Sequence, residues 1–109
     1  MYSTQDFEVI TDIFKNNVPG LKSLVLFGSY SRGTATDESD ADIAAIVDTH
    51  ISRGEKLHIL GNLWNILGRK GYCVDIILKE EIHFNEDKTV NFTVSHSISS
   101  EGKILWMRN

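Results

Sequence analysis

The sequence predicts a domain of mixed helices and strands, α/β in the broad sense that includes α+β. Short, mostly apolar runs of strand length alternate with two longer segments in which apolar residues recur at helical spacing. The chain has 109 residues, of which 41% are hydrophobic and 24% are charged. That size and composition suit one hydrophobic core rather than two. We therefore expect residues 1–109 to form a single domain.

The first part of the chain has the pattern of an amphipathic helix followed by a buried strand. Ser3 and Asp6 have the spacing of an N-terminal capping box, and Pro19-Gly20 ends the helical pattern. Between them, the apolar residues at helical spacing are Phe7, Ile10, Ile13 and Phe14. The mostly apolar run 21–27 then predicts a strand that ends at Gly28.

The middle of the chain contains two further strand patterns with a helix between them. Residues 43–47 predict a second strand and residues 72–78 a third. Ser52 and Glu55 have capping-box spacing, and Gly71 marks the end of the helix. The expected buried stripe of this helix consists of Leu57, Leu60, Leu63, Trp64 and Leu67.

The C-terminal quarter is ambiguous. Residues 90–98 alternate at period two, which is typical of a strand, but Asp87 is also placed to cap a helix over the same residues. Gly102 and the run 103–107 predict a turn and a final short strand.

The charge balance argues against direct nucleic-acid binding. Sequence-independent binding needs a basic face to displace counterions from a phosphate backbone, and a net charge of −4 with a pI near 5.5 argues against it. A nucleotide substrate stays compatible with this charge, because metal ions offset phosphate charge locally. The lone cysteine, Cys73, excludes an intramolecular disulfide and fits a reducing compartment. No run approaches the roughly 18 apolar residues of a membrane span, so we expect a cytoplasmic protein that does not contact membranes.

The segment after the first strand has the features of a phosphate-binding turn. Gly28 allows the backbone to approach a ligand closely, because glycine has no side chain. The following amides and the Ser29 hydroxyl are donors for phosphate oxygens. Arg32 adds a positively charged fork toward the same phosphates.

Three aspartates accompany this turn. Asp40 and Asp42 occupy positions i and i+2 at the head of the second strand, so their side chains project to one side. Two carboxylates at such a short distance repel each other, and a hard divalent cation such as magnesium, bound between them, removes this repulsion. Asp75 lies in the third strand, where a carboxylate must be paired, metal-bound or at an edge. If the two strands are neighbours, Asp75 completes a triad suited to two-metal phosphoryl transfer, or serves as general base for an acceptor hydroxyl.

Each of these features alone is more often structural than functional. An isolated D-x-D pair is commonly a strand end or surface turn, and Gly-Ser after a strand is usually only a turn. Here they occur together and in order, with ten residues between Ser29 and Asp40. That combination favours a functional site.

The combination also resembles a known family. Gly28-Ser29, ten residues, and Asp40-Ala41-Asp42 are similar to the GSx10DxD signature of the DNA polymerase β-like nucleotidyltransferase superfamily. With Arg32-Gly33 and Ser39 included, the segment resembles the minimal nucleotidyltransferases, small proteins typically encoded beside a helical partner of the HEPN type. The resemblance extends over most of the chain, but only segment 28–43 and Asp75 match at the level of a motif.

The resemblance implies a nucleotidyltransferase fold, in which a small mixed β-sheet is flanked by helices. It implies an enzyme that transfers a nucleotidyl group, with AMP from ATP as the expected reaction. The expected catalytic and magnesium-binding residues, for two ions, are Asp40, Asp42 and Asp75. The expected nucleotide-binding residues are Gly28, Ser29, Arg32, Gly33 and Ser39. Tyr30 departs from the family pattern, since a basic residue is frequent at that position.

In related pairs the acceptor is a tyrosine of the partner toxin. The resemblance therefore implies an antitoxin that modifies a HEPN-type toxin and forms a hetero-oligomer with it. It also favours a helix over residues 88–100. Two alternatives stay open, namely an antitoxin that silences its partner by binding alone and a nucleotidyltransferase that acts on a small molecule.

Overall fold

The protein, described by a computed structural model for residues 1–87 and 94–108, forms a β-sheet with helices on both faces. The helices are α1 (Thr4–Asn17), α2 (Ser29–Arg32), α3 (Arg53–Arg69), α4 (Glu81–Asp87) and α5 (Val94–Glu101). The strands are β1 (Leu21–Phe27), β2 (Ala41–Val47), β3 (Val74–Glu80) and β4 (Lys103–Met107). Within the described residues, no helix has the length and apolar character needed to cross a membrane.

The strands form one mixed sheet in the order β3-β2-β1-β4. β1 pairs antiparallel with β2 and with β4, whereas β2 and β3 are parallel. This register places Phe27 beside Asp42, and Asp42 beside Asp75. The C-terminal end of β1 and the N-terminal ends of β2 and β3 therefore meet at one end of the sheet.

Each face of the sheet buries alternate strand residues, as the pleat of a strand requires. One face packs against α1 and α3 in a cluster that includes Phe14, Leu24, Ile43 and Leu63. On the opposite face, Ala44 and Ile46 pack with Ile98 of α5 and Phe84 of α4. Asp42 has the same parity as Ala44, so its side chain belongs to the face with α4 and α5.

Both long helices begin at the predicted capping boxes. The Ser3 side chain accepts a hydrogen bond from the Asp6 amide, and the Asp6 carboxylate accepts one from the Ser3 amide. Ser52 and Glu55 make the same reciprocal pair at the start of α3. These local hydrogen bonds satisfy amides that have no partner inside the helix.

The predicted α/β fold is confirmed, as are the strands 21–27 and 103–107. β2 begins two residues earlier than predicted, and β3 is shifted by two residues toward the C-terminus. For the ambiguous region, the chain is helical from Val94, so the strand alternative is wrong there. The same choice between strand and helix was open for residues 88–93, which lie outside the described residues.

Two residues that we expected in the core of α3 are exposed. Trp64 is 50% and Leu57 is 63% exposed. The buried residues of the helix are Ile59, Leu60, Leu63 and Leu67. Successive helical residues lie about 100° apart around the axis. The residue after Leu63 therefore turns away from the sheet, which explains the exposure of Trp64.

Candidate active site

Gly28 ends β1 and turns the chain directly against Asp42. Its φ of 71° lies in the left-handed region, where a side chain is strained. A Cβ at this position would also overlap Oδ2 of Asp42. Glycine is therefore required here by the backbone conformation and by the close approach of the carboxylate.

A single helical turn, α2, follows Gly28 and holds the loop. The Arg32 amide and the Ser31 hydroxyl both donate to the Gly28 carbonyl, at 3.1 and 3.0 Å. Gly33, with φ of 77°, closes the turn by donating its amide to the Ser29 carbonyl. In the part of the chain that the structure describes, the Ser29 hydroxyl has no hydrogen-bond partner and is available to a ligand.

Asp42 and Asp75 are register partners in the parallel pair β2–β3. Neighbouring strands lie about 4.8 Å apart, and paired residues project to the same face. The two carboxyl groups are close enough to share a hydrogen bond. The expectation that the third strand adjoins the second is therefore met, and two of the three predicted carboxylates come together.

The environment of Asp42 disfavours its negative charge. Partial burial, followed by the charges of Asp75 and Asp40, raises the pKa of Asp42 above its ordinary value of 3.8. The hydrogen bond with Asp75 acts in the same direction, and the positive charge of Arg32 opposes it. A divalent cation would remove this repulsion, and a ligand set made only of carboxylate oxygens suits a hard ion such as magnesium.

Asp40 is less firmly placed than the other two aspartates. It is exposed and precedes the first residue of β2, so strand pairing does not fix its side chain. Over residues 1–87 and 94–108, no three Asp, Glu, His or Cys side chains are arranged to enclose a metal ion. Asp42 and Asp75 thus form a close pair, whereas Asp40 is not positioned with them to enclose an ion in the described structure.

Arg32 links α2 to α5 across the site. Its guanidinium donates to Oε2 of Glu101 at 2.9 Å, and both side chains are well exposed. Arg32 is also close enough to lower the pKa of Asp42. The predicted phosphate-binding arginine therefore lies beside the carboxylates, but in this state it is paired with an acidic residue.

Gly33 and Ser39, both expected to bind nucleotide, have structural contacts. Gly33 ends α2, as described above. Ser39 Oγ accepts from the Thr36 amide at 2.9 Å, and the Ser39 amide donates to the Thr36 carbonyl at 3.0 Å. These bonds shape the loop before Asp40, and a role in nucleotide binding stays a prediction.

An aromatic cluster that the sequence pattern did not indicate supports this end of the sheet. Tyr2 stacks on Tyr30 with ring centroids 5.8 Å apart, and its ring contacts the edges of Phe7 and Tyr72. The Tyr2 hydroxyl accepts from the Cys73 amide at 2.6 Å, two residues before Asp75. Tyr30 therefore packs in this cluster at the position where the family often has a basic residue. The cluster joins segments far apart in sequence, so no local spacing signals it.

Two concavities lie away from the carboxylates, at the opposite end of the sheet. One, of about 470 Å³, borders Ile77 and Lys79, and the other, of about 320 Å³, borders Asp48 and Glu81. Neither is lined by Asp42 or Asp75. The candidate active site is the carboxylate pair beside Gly28, because carboxylates with perturbed pKa values cluster at functional sites.

Comparison with known proteins identifies the family. A family model described as the nucleotidyltransferase domain matches residues 8–100. The chain belongs to this family. It is 30% identical over 86 residues to a Methanocaldococcus jannaschii protein provisionally named protein adenylyltransferase MJ0604, covering 79% of each chain. It is 26% identical over 97 residues to the protein adenylyltransferase MntA of Shewanella oneidensis, covering 89% of this chain and 62% of MntA.

Solved structures of the same fold are also similar. One is a chain of a toxin–antitoxin crystal structure with AMP-PNP, with a TM-score of 0.67, 26% identity, and coverage of 95% of this chain and 75% of that one. Another is a tri-AMPylated Shewanella oneidensis HEPN toxin in complex with an MNT antitoxin, with a TM-score of 0.62, 21% identity and coverage of 97% and 74%. The predicted resemblance to minimal nucleotidyltransferases and the predicted enzyme class are confirmed.

Proposed function

We propose that this chain is a magnesium-dependent protein adenylyltransferase that transfers AMP from ATP to a hydroxyl of a partner toxin. The observation that carries the proposal is the pairing of Asp42 with Asp75 directly beside Gly28 and Ser29. A carboxylate pair supplies ligands for a cation, and the adjoining glycine turn supplies donors for phosphate. Nucleotidyl transfer needs both at one place.

Magnesium, expected as two ions, would be held by Asp40, Asp42 and Asp75. When bound, it neutralises phosphate charge and the charge that develops during transfer. The raised pKa of Asp42 supports this assignment, because partial burial and the charges of Asp75 and Asp40 all disfavour its negative charge, and a bound cation would offset them. The exposure of Asp40 leaves its side chain free to turn toward an ion.

The nucleotide would be held on the turn that follows β1. Among the described residues the Ser29 hydroxyl has no hydrogen-bond partner, so it can donate to a phosphate oxygen. The absence of a side chain at Gly28 lets the backbone approach that phosphate. Arg32 would leave Glu101 and bind the phosphates through its planar fork. Gly33 and Ser39 would contribute by fixing the shape of this loop.

The transfer step makes one bond and breaks one. The acceptor hydroxyl oxygen bonds to the α-phosphorus of ATP, the bond from that phosphorus to the bridging oxygen breaks, and pyrophosphate leaves with the electron pair. The hydroxyl proton passes to the Asp75 carboxylate, which is exposed at the head of β3 and can meet an incoming acceptor.

A protein acceptor is consistent with what the similar proteins act on and with the net charge of this chain. MntA is named a protein adenylyltransferase, and a similar structure contains an AMPylated HEPN toxin with its MNT antitoxin. The net charge of −4 suits a polypeptide acceptor better than a nucleic acid. We therefore propose a tyrosine of a HEPN-type toxin as acceptor, a cytoplasmic hetero-oligomer with that toxin, and an antitoxin role.

The test combines the purified chain, magnesium, ATP labelled at the α-phosphate and the helical protein encoded beside it. We expect label on the toxin, loss of toxin activity, and neither result with Asp42→Asn. A triple variant of Asp40, Asp42 and Asp75 that still neutralises the toxin would support neutralisation by binding alone. Label that reaches only small hydroxyl compounds would support the small-molecule alternative.

A further inference from the structure

We propose that the acceptor polypeptide docks as an added strand on the outer edge of β3. This inference rests on the proposed function and specifies how the acceptor reaches Asp75. β3 (Val74–Glu80) is an outer strand of the sheet, and among the described residues it pairs with β2 alone.

The outer edge of β3 has no main-chain partner in the described parts of the chain, residues 1–87 and 94–108. Its ladder bonds run to β2, and no other backbone hydrogen bond to residues 74–80 is present there. A strand of seven residues therefore offers a row of unpaired N–H and C=O groups along one side. An extended peptide satisfies such a row by adding a strand, which is a common mode of peptide recognition.

A groove lies beside the C-terminal half of this edge. It is the concavity of about 470 Å³, whose lining includes the apolar side chains of Ile51 and Ile77 and the cationic side chain of Lys56. Alternate side chains of an added strand point the same way. The groove therefore suits the apolar side chains of every second residue in a docked segment. Two carboxylates also line the groove: Asp87, which pairs with Lys79, and Glu80, which lies 3.3 Å from Nδ1 of His50. Among the described residues Lys56 has no ion-pair partner, so it favours an acceptor with a carboxylate near that point.

The edge leads from the groove to the carboxylates. Asp75, Ile77 and Lys79 alternate along one face of β3. At about 3.3 Å per residue, Lys79 lies about 13 Å along the strand from Asp75. A docked segment of about five residues spans that distance, and a hydroxyl at its far end meets Asp75.

A second copy of the chain is a poorer occupant than an acceptor. The sequence of β3, VDIILKE, contains no hydroxyl side chain, so pairing of two β3 edges would bring no acceptor to Asp75. Val74 and Leu78 are already buried in their own core, at 7% and 4% exposure, and are not available to fill a neighbour's groove.

The first experiment measures hydrogen–deuterium exchange of the wild-type chain with and without the unmodified toxin. We expect exchange of the amides of residues 74–80 to slow by about tenfold or more when toxin is added. Unchanged exchange at β3, while label transfer proceeds, would overturn the docking proposal and leave the proposed function standing. Protection that appears with rising concentration of the chain alone would identify a second copy as the occupant and would also overturn it.

The second experiment compares Lys56→Glu and Ile77→Lys with a matched charge reversal, Lys15→Glu, on α1 away from the groove. We expect the two groove variants to raise the KM for toxin by about tenfold while the KM for ATP changes little, and Lys15→Glu to change neither. Equal KM values for toxin in all three variants would contradict docking at β3. No label transfer by the wild type would instead contradict the proposed function.

Discussion

The carboxylate of Asp42 occupies the space that a side chain at position 28 would need. A Cβ on Gly28 would overlap Oδ2 of Asp42, and the φ of 71° at Gly28 disfavours a side chain independently. The turn that precedes α2 and the carboxylate that begins β2 therefore form one unit, and a change at Gly28 must displace Asp42.

Gly28→Ala is expected to damage both stability and activity. The left-handed backbone alone costs about 1–3 kcal/mol for a residue with a side chain. The overlap must also displace the Asp42 carboxylate from its present position beside Asp75, and a displacement of about 1 Å can lower a rate by about 100-fold. Urea unfolding measures the first effect, and transfer of labelled AMP to the toxin measures the second.

Gly33→Ala is the matched control. Gly33 has a φ of 77°, but a Cβ there would meet nothing within 4 Å. We expect the cost of the left-handed conformation, about 1–2 kcal/mol, with a much smaller loss of transfer than for Gly28→Ala. If both variants lose the same activity, overlap with Asp42 is not the cause.

Asp42 should make the metal-free protein less stable as pH rises. Burial, together with the charges of Asp75 and Asp40, raises its pKa in the folded state above 3.8. The protonated form is therefore favoured by the fold. The stabilisation of the fold by protonated Asp42 is fully present below 3.8, the pKa of this group in the unfolded chain. It is lost as pH rises through the higher pKa of Asp42 in the folded state. Asp42→Asn lacks this titration, so its stability relative to wild type should increase across that window.

Urea unfolding in metal-free buffer, from below the unfolded pKa to neutral pH, checks this expectation. Asp12→Asn, an exposed change on α1, serves as the control. Parallel stability curves for wild type and Asp42→Asn would show that the repulsion at Asp42 has no thermodynamic weight.

Magnesium should offset the loss of folding stability that ionised Asp42 causes. An ion that binds only the folded chain stabilises it by about 2.7 kcal/mol at 100 times its Kd. We expect magnesium to raise the Tm of wild type and of Asp12→Asn, with most of that increase absent in Asp42→Asn. An equal increase in all three proteins would place the magnesium site elsewhere.

The parts of the fold that sequence predicted well depend on local interactions. Ser3 with Asp6 and Ser52 with Glu55 form capping boxes within one helical turn, so their spacing is sufficient evidence. The strand 21–27 was predictable because its burial on both faces gives a mostly apolar run of strand length. The turn at Gly28 and Ser29 was predictable for a related reason, since these residues lie directly after that strand.

The interactions that sequence missed join distant segments. Tyr2 and Cys73 are 71 residues apart, and Arg32 and Glu101 are 69 apart, so no spacing rule connects them. Trp64 was misplaced because helical periodicity gives the width of an apolar face but not where the sheet lies against it. The position of Asp75 beside Asp42 depends on the parallel pairing of β2 with β3, which the spacing of residues in the sequence does not give.

Tyr2→Phe tests whether the aromatic cluster positions the carboxylates. The variant keeps the ring that stacks on Tyr30 and removes the hydroxyl that bonds to the Cys73 amide. We expect a loss of about 1 kcal/mol in unfolding free energy and a lower kcat with little change in the KM for ATP. Tyr72→Phe, which removes a hydroxyl bonded to Asp6 instead, should leave kcat near wild type. A rise in the KM for ATP with unchanged kcat in Tyr2→Phe would contradict a positioning role.

Arg32 and Glu101 should respond in opposite directions when each loses its charge. An exposed ion pair contributes only about 0–1 kcal/mol, so neither Arg32→Ala nor Glu101→Gln should alter unfolding strongly. If Arg32 must leave Glu101 to bind phosphate, Arg32→Ala should raise the KM for ATP by about tenfold or more, since charged hydrogen bonds contribute about 1.5–3 kcal/mol. Glu101→Gln should lower that KM, because the competing carboxylate charge is gone. Steady-state kinetics at several ATP concentrations separates the cases. A KM raised equally by both variants would mean that Glu101 orients Arg32 for the nucleotide rather than competing with it.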